Sequence, residues 1–118
     1  MGSKRVAVVK VAEIQRFDIW LIALEPTKGS EIRKTRPCLI VSPNEMNLWL
    51  RTVIVAPMTT TIKSYPSRVA IQFGGKYGQV ALDQLRCLDR TRLIKRLGTA
   101  PNQTGTVVSD VLVEMFGK

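Results

Sequence analysis

At 118 residues the chain has the length of one domain. That is enough to bury a core without disulfide or metal support, and 45% hydrophobic residues exclude a disordered chain. Eighteen Lys and Arg against nine Asp and Glu leave a net charge of +9, which points to a polyanionic partner, either nucleic acid or an acidic protein segment.

Residues 1–15 read as an N-terminal extension and 16–118 as a single domain. The opening stretch is basic but no cleavable apolar segment follows, and no apolar run approaches the ~20 residues of a bilayer-spanning helix. The expectation is a cytoplasmic protein with no membrane partner. A first strand is predicted over Arg16–Leu24 (RFDIWLIAL), stopped at Glu25-Pro26. Thr27–Thr35 is a loop, marked by Gly29, Ser30 and dense charge. Pro37–Ser42 is a continuous apolar run, as expected of a strand buried on both faces. Pro43–Leu50 forms a brief helical turn capped by Ser42 or Asn44, with Trp49 packed inward.

A third strand covers Arg51–Met58, and Thr59–Ser67 is a loop rich in Thr and Ser. Arg68–Phe73 alternates, with Val69, Ile71 and Phe73 on one side and Ala70 and Gln72 on the other, and Gly74-Gly75 supplies a turn. Gly78–Leu82, Gln84–Leu88 and Arg92–Leu97 complete the strands. After Pro101 the spacing of Val107, Val108, Val111, Leu112, Met115 and Phe116 is helical. Asn102 or Thr99 caps this helix and Gly117 ends it; its four valines mean that packing must hold it. Short strands at regular spacing with one late helix predict a mainly β fold, a small closed or half-closed barrel carrying a C-terminal α-helix.

There is no histidine, which removes every imidazole mechanism. Cys38 and Cys87 are too few for a zinc site, and both lie in apolar strand patterns, so they are expected as reduced, buried, small hydrophobes. No cofactor and no metal is expected.

Five stretches then stand in order: Asp18-Ile19-Trp20; Pro26 with Gly29-Ser30-Glu31; Arg36-Pro37 with Leu39-Ile40-Val41; Val53-Ile54-Val55-Ala56-Pro57-Met58-Thr59; and Asp83-Gln84 with Arg86 and Asp89. Over residues 16–98 this pattern resembles the MazF/PemK (Kid) toxins. The resemblance implies an SH3-like barrel, the fold shared with the CcdB gyrase poisons, and metal-independent cleavage of single-stranded RNA at short sequences. It also implies a homodimer, restrained by a cognate antitoxin (MazE/PemI-like) whose acidic C-terminal segment covers the RNA site. The chain departs from the family at three points. The Gly usual before the opening Asp is Phe17, an Arg found in some relatives two residues before Asp83 is Ala81, and the His of some first loops is missing.

The resemblance carries over the arginine of the RP stretch as Arg36 and the threonine of the APMT stretch as Thr59. Cutting RNA without metal uses the ribose 2′-hydroxyl as nucleophile and leaves a 2′,3′-cyclic phosphate and a 5′-hydroxyl. Arg36 would grip the phosphate with a charged fork of donors, and Thr59 would add a hydroxyl. Glu31 is the candidate base or orienting carboxylate, equally readable as a solvated acid paired with Arg33 or Lys34. Asp83 is a base, a contact to base edges, or a structural acid paired with Arg86. Ser30, Lys28, Arg33, Lys34, Lys63 and Arg86 are the expected substrate contacts, although each cation alone reads as solvated surface. Trp20 belongs to the core, and Trp49 suits a dimer or antitoxin interface. The alternative on the same barrel is a non-catalytic CcdB-like poison of DNA gyrase, or a module that only holds nucleic acid.

Overall fold

The structure is a computed structural model that describes residues 14–25 and 28–118. Most of the expected N-terminal extension, together with Pro26 and Thr27 at the start of the first loop, lies outside the described residues. Among the described residues seven strands and two helices follow one another as β1 (Asp18–Ala23), β2 (Thr35–Ile40), α1 (Asn44–Trp49), β3 (Thr52–Thr59), β4 (Arg68–Phe73), β5 (Lys76–Ala81), β6 (Arg86–Asp89), β7 (Leu93–Thr99) and α2 (Asn102–Phe116), with 3-10 turns at Leu82–Gln84 and Arg90–Arg92. No helix among the described residues is long and apolar enough to cross a membrane.

All pairings are antiparallel, in the order β4-β5-β3-β2-β1-β7, and β6 also pairs with β3. The long strand β3 is the hinge of this arrangement. Its middle pairs with β2, its first half with β6, and its last residues, Met58 and Thr59, leave for β5. With β4 and β7 as open edges, the sheet is a half-barrel carrying a C-terminal helix.

The alternating side chains of the central strands are buried on both faces, as the continuous apolar runs predict. Trp20, Ile22, Cys38, Ile40, Val53 and Val55 belong to one core. Ile19, Leu39, Val41 and Ala56 belong to the other, which also takes Val69, Ile71 and Val80 from the β4–β5 hairpin and Val108 from α2. Gly105 sits in α2 where a Cβ would meet the Phe17 ring at 2.7 Å. Phe17 itself has a φ of +71°, in the left-handed region that favours glycine. The backbone there is held by hydrogen bonds from Phe17 N–H to the Ile40 carbonyl (2.7 Å) and from Ala100 N–H to the Phe17 carbonyl (2.9 Å).

Several local expectations are corrected. Neither helix has a side-chain N-cap: prolines, Pro43 and Pro101, stand at the cap positions. Ser42 is instead bonded to Asn47 (2.5 Å) and accepts from Ile54 N–H (3.0 Å), while Asn44 accepts from Arg16 N–H (2.7 Å). The Thr99 hydroxyl is engaged with Asp18 (3.3 Å), a buried carboxylate that also meets Arg96 at 3.4 Å. Trp49 does not pack inward but is 79% exposed. At the other end of α1, the buried Arg90 guanidinium donates to the Asn47 and Leu50 carbonyls, so a distant cation satisfies the helix's last carbonyls. Residues 82–84 turn rather than extend. Cys87 is exposed, contrary to the expected burial, because it lies on the outer face of β6; Cys38 is buried, and both thiols are free.

Candidate active site

Strand β2 enters the sheet through Arg36-Pro37, with Arg36 opposite Ile22 of β1. On its other side Cys38 pairs with Pro57. Continued along the strands, that register sets Arg36 across from Thr59, at the point where β3 turns away to β5. The two strands therefore part at these two side chains and leave an open cleft of about 330 Å³. Its walls are residues 35–37 of β2, residues 58–60 at the end of β3, and Ile71, Phe73 and residues 76–78 of the β4–β5 hairpin. Gly78 allows the hairpin to come this close: a Cβ there would stand 2.6 Å from the Thr59 carbonyl oxygen.

The Arg36 side chain is aimed by two carbonyls. Its Nε donates to Arg33 O (3.2 Å) and its Nη1 to Met58 O (3.4 Å). The rest of the guanidinium fork is left for an anionic ligand. Thr59 is nearly buried, and its hydroxyl oxygen accepts from Thr61 N–H (3.1 Å). The hydroxyl keeps its own proton to donate.

The loop between β1 and β2 carries Lys28, Ser30, Glu31, Arg33 and Lys34, all exposed. None of the five lines the Arg36 cleft directly. Glu31 is paired with neither Arg33 nor Lys34: its carboxylate accepts from Lys28 N–H (2.7 Å), closing a turn on Gly29. Lys34 takes a φ of +74°, and its N–H donates to the Glu25 carboxylate (3.1 Å). This loop is tied down from outside. Gln84 accepts from Ile32 N–H (3.3 Å), Arg86 donates to Leu24 O (2.9 Å), and Arg92 donates to the Ala23 and Glu25 carbonyls. Arg86 thus reaches a backbone carbonyl at the root of the loop.

Asp83 has a different partner from the one expected. It meets Arg68, not Arg86, at 2.8 Å and 3.3 Å, and accepts from the Ser67 hydroxyl at 2.9 Å. Burial raises the pKa of this carboxyl, but the hydrogen bonds from Arg68 and Ser67 outweigh it and hold the group below its ordinary value. Arg68 also reaches Thr61 O (3.4 Å) and the Gln79 side chain (3.2 Å). Gln79 in turn clamps the backbone of Lys63 in both directions, at 2.9 and 3.1 Å. Arg68, Gln79 and Asp83 therefore hold the loop 60–67 beside the cleft, with Lys63 on its exposed side. Sequence reasoning assigned no such role to Arg68 or Gln79. The only signal was their place on the outer face of two paired strands, where alternation alone predicts solvent.

The match to the family of PemK-like, MazF-like toxins of type II toxin-antitoxin systems extends over residues 15–116. The chain belongs to this family. It is 34% identical over 111 residues to the endoribonuclease PemK of Escherichia coli, an alignment covering 89% of this chain and 81% of that protein. The crystal structure of MazF from Deinococcus radiodurans superposes with a TM-score of 0.77 at 28% identity, covering 89% of this chain and 97% of that one. A mycobacterial endoribonuclease solved in complex with its cognate antitoxin gives a TM-score of 0.74 at 25% identity, over 88% and 95% of the two chains.

At the two positions marked as departures in the sequence the structure is specific. Phe17 holds a left-handed backbone with its ring against the Gly105 position. Ala81 faces Arg68 across the β4–β5 ladder, and Arg68 pairs with Asp83.

Proposed function

We propose that this toxin is an endoribonuclease that cuts single-stranded messenger RNA by transesterification through the 2′-hydroxyl, without a metal. The observation that carries the reading is the meeting of Arg36 and Thr59 at one open cleft, where β2 and β3 part. The scissile phosphate lies between them. Arg36 stabilises the charge that develops on the phosphoryl oxygens, and Thr59 donates its hydroxyl to the same group. Glu31, in the loop that leads into Arg36 but outside the cleft walls, is the candidate to take the 2′-hydroxyl proton or to orient the group that does. The attack forms the 2′,3′-cyclic phosphate and expels the 5′-oxygen, which takes a proton from solvent and leaves as a hydroxyl. Ser30, Lys28, Arg33, Lys34 and Lys63 follow the RNA backbone on either side, and Arg86 and Asp83 shape the loops that carry them. The toxin acts in the cytoplasm as a homodimer, and the acidic C-terminal segment of a MazE/PemI-like antitoxin competes with RNA for the cationic loop.

The test is a primer-extension map of a long RNA incubated with the protein in EDTA, wild type beside Arg36→Ala. Cuts at a recurring short sequence are expected, reduced about a hundredfold or more in the variant, as for the loss of one charge-stabilising donor. Intact RNA with well-folded protein, and broken DNA in dying cells, would reverse the reading in favour of a gyrase poison.

A further inference from the structure

Tyr77 is 75% exposed, yet it stands on a strand rather than a loop. The β4–β5 hairpin closes through Gly74 and Gly75, both left-handed at φ +61° and +77°, the backbone of a tight two-residue turn that follows the strand twist. Tyr77 pairs with Gln72 in the second rung of the ladder from this turn, so its Cα is well fixed. Among the described residues its side chain makes no hydrogen bond, ring contact or ion pair. A large aromatic placed rigidly in solvent is a surface for a ligand rather than part of the core.

Its position gives the ligand. Tyr77 borders two cavities at once. One is the cleft of Arg36 and Thr59. The other is a groove between β4 and the start of α2, lined by the amides of Gln72 and Gln103, the hydroxyl of Thr104, and Val107. No carboxylate lines either cavity among the described residues, and Lys76 adds a cation at the rim of the first. A path that begins at a phosphate-gripping arginine, passes an exposed aromatic ring and continues between amides, hydroxyls and apolar carbon matches the repeating chemistry of a single-stranded polynucleotide. Phosphates meet cations, bases stack on the ring, and base edges meet amide groups.

We propose that the RNA strand continues from the Arg36 cleft over Tyr77 into the β4–α2 groove, with the first base beyond the two nucleotides of the cut site stacked on the Tyr77 ring. This rests on the ribonuclease reading and extends it: the hairpin becomes a second binding element, and the groove a subsite for flanking nucleotides. The ring contributes affinity and positioning, while Arg36 and Thr59 remain the reacting site.

The test compares wild type, Tyr77→Ala and Tyr77→Phe on two RNAs, one trimmed to the cut site and one extended on both sides. On the extended RNA, kcat/KM for Tyr77→Ala should fall about tenfold, the usual worth of one stacked base, while Tyr77→Phe stays near wild type because the ring is kept. On the trimmed RNA all three proteins should be alike. An equal loss on both RNAs, or no loss on either, overturns the proposal. Binding of a fully 2′-O-methylated RNA, which has no free 2′-hydroxyl, is measured in parallel by anisotropy. If wild type cuts nothing but Tyr77→Ala still binds this RNA about tenfold more weakly than wild type, the ribonuclease reading fails and the subsite stands. Equal binding by the two proteins removes the subsite.

Discussion

Arg36 and Cys38 stand two residues apart on the same face of β2, and their depth along the strand gives them opposite environments. Arg36, at the cleft end, is held by two backbone carbonyls, so its charge is presented in a fixed direction. Cys38 lies deeper, inside the core, and burial pushes its thiol up to about 12 even though Arg36 and Arg86 pull the other way. At neutral pH it is a protonated small hydrophobe. Alkylation of the folded protein with iodoacetamide should therefore place one adduct, on the exposed Cys87, and leave Cys38 unmodified until denaturant is added. Mass spectrometry of the peptides reads this directly, and rapid modification of Cys38 in the native protein would contradict its burial. The residue scale also shows what the sequence conveyed. Arg36-Pro37 ahead of an apolar run marked both the cation and the strand that presents it. Phe17 was visible only as a departure, since neither its positive φ nor its contact with Gly105 can be read from neighbours in sequence.

At the scale of elements, two devices keep the cleft open and its flanking loop in place. The first is the close passage of β5 over the end of β3 at Gly78. In Gly78→Ala the new methyl must displace the Thr59 carbonyl or the hairpin, a cost of about 1–3 kcal/mol by analogy with overpacked cores. Urea denaturation should show that loss, and RNA cleavage should fall with it because Thr59 moves. Unchanged stability would mean that the hairpin yields freely. The second device is the Arg68–Asp83 pair beneath the loop 60–67. The folded-state pKa of Asp83 lies below the ordinary carboxylate value. Its contribution is complete above that ordinary value and is lost as pH falls through the lowered folded pKa. Between neutral pH and that acidic range, the melting temperature of wild type should fall further than that of Asp83→Asn, which has no proton to gain. Parallel curves would show that the pair adds nothing. The approximate places of most strands along the chain and the alternation of β4 were legible from hydrophobic period and turn glycines, but not the order of the strands in the sheet. The Arg68–Gln79–Lys63 network was not, because it joins side chains on the outer face of the sheet, where sequence patterns carry no information about partners. The helix caps were misread for a related reason: Ser42, Asn44 and Thr99 all have hydroxyl or amide groups suited to capping, and long-range contacts claim each of them first.

Across the whole molecule, the half-barrel divides its labour. Two apolar cores on either side of the central strands hold the sheet, while Arg36 at the cleft and the exposed Lys28, Arg33, Lys34 and Lys63 on the loops carry part of the net charge of +9. Five sequence stretches in family order were enough to indicate this architecture, and two of them, those of Arg36 and Thr59, meet at the cleft. The hairpin that completes the cleft was legible as strand and turn, but not its place against the end of β3, which depends on the close approach at Gly78. The claim that unites these scales is chemical: the cleft between Arg36 and Thr59 breaks RNA because the substrate supplies its own nucleophile. One oligonucleotide tests it, made with the mapped cut sequence and a single 2′-deoxy substitution at the nucleotide 5′ to the cut, incubated in EDTA beside its all-ribose counterpart and analysed by mass spectrometry. The account predicts that the ribose substrate yields a 2′,3′-cyclic phosphate and a 5′-hydroxyl while the deoxy substrate stays whole. Cleavage of the deoxy substrate at the same bond would contradict it.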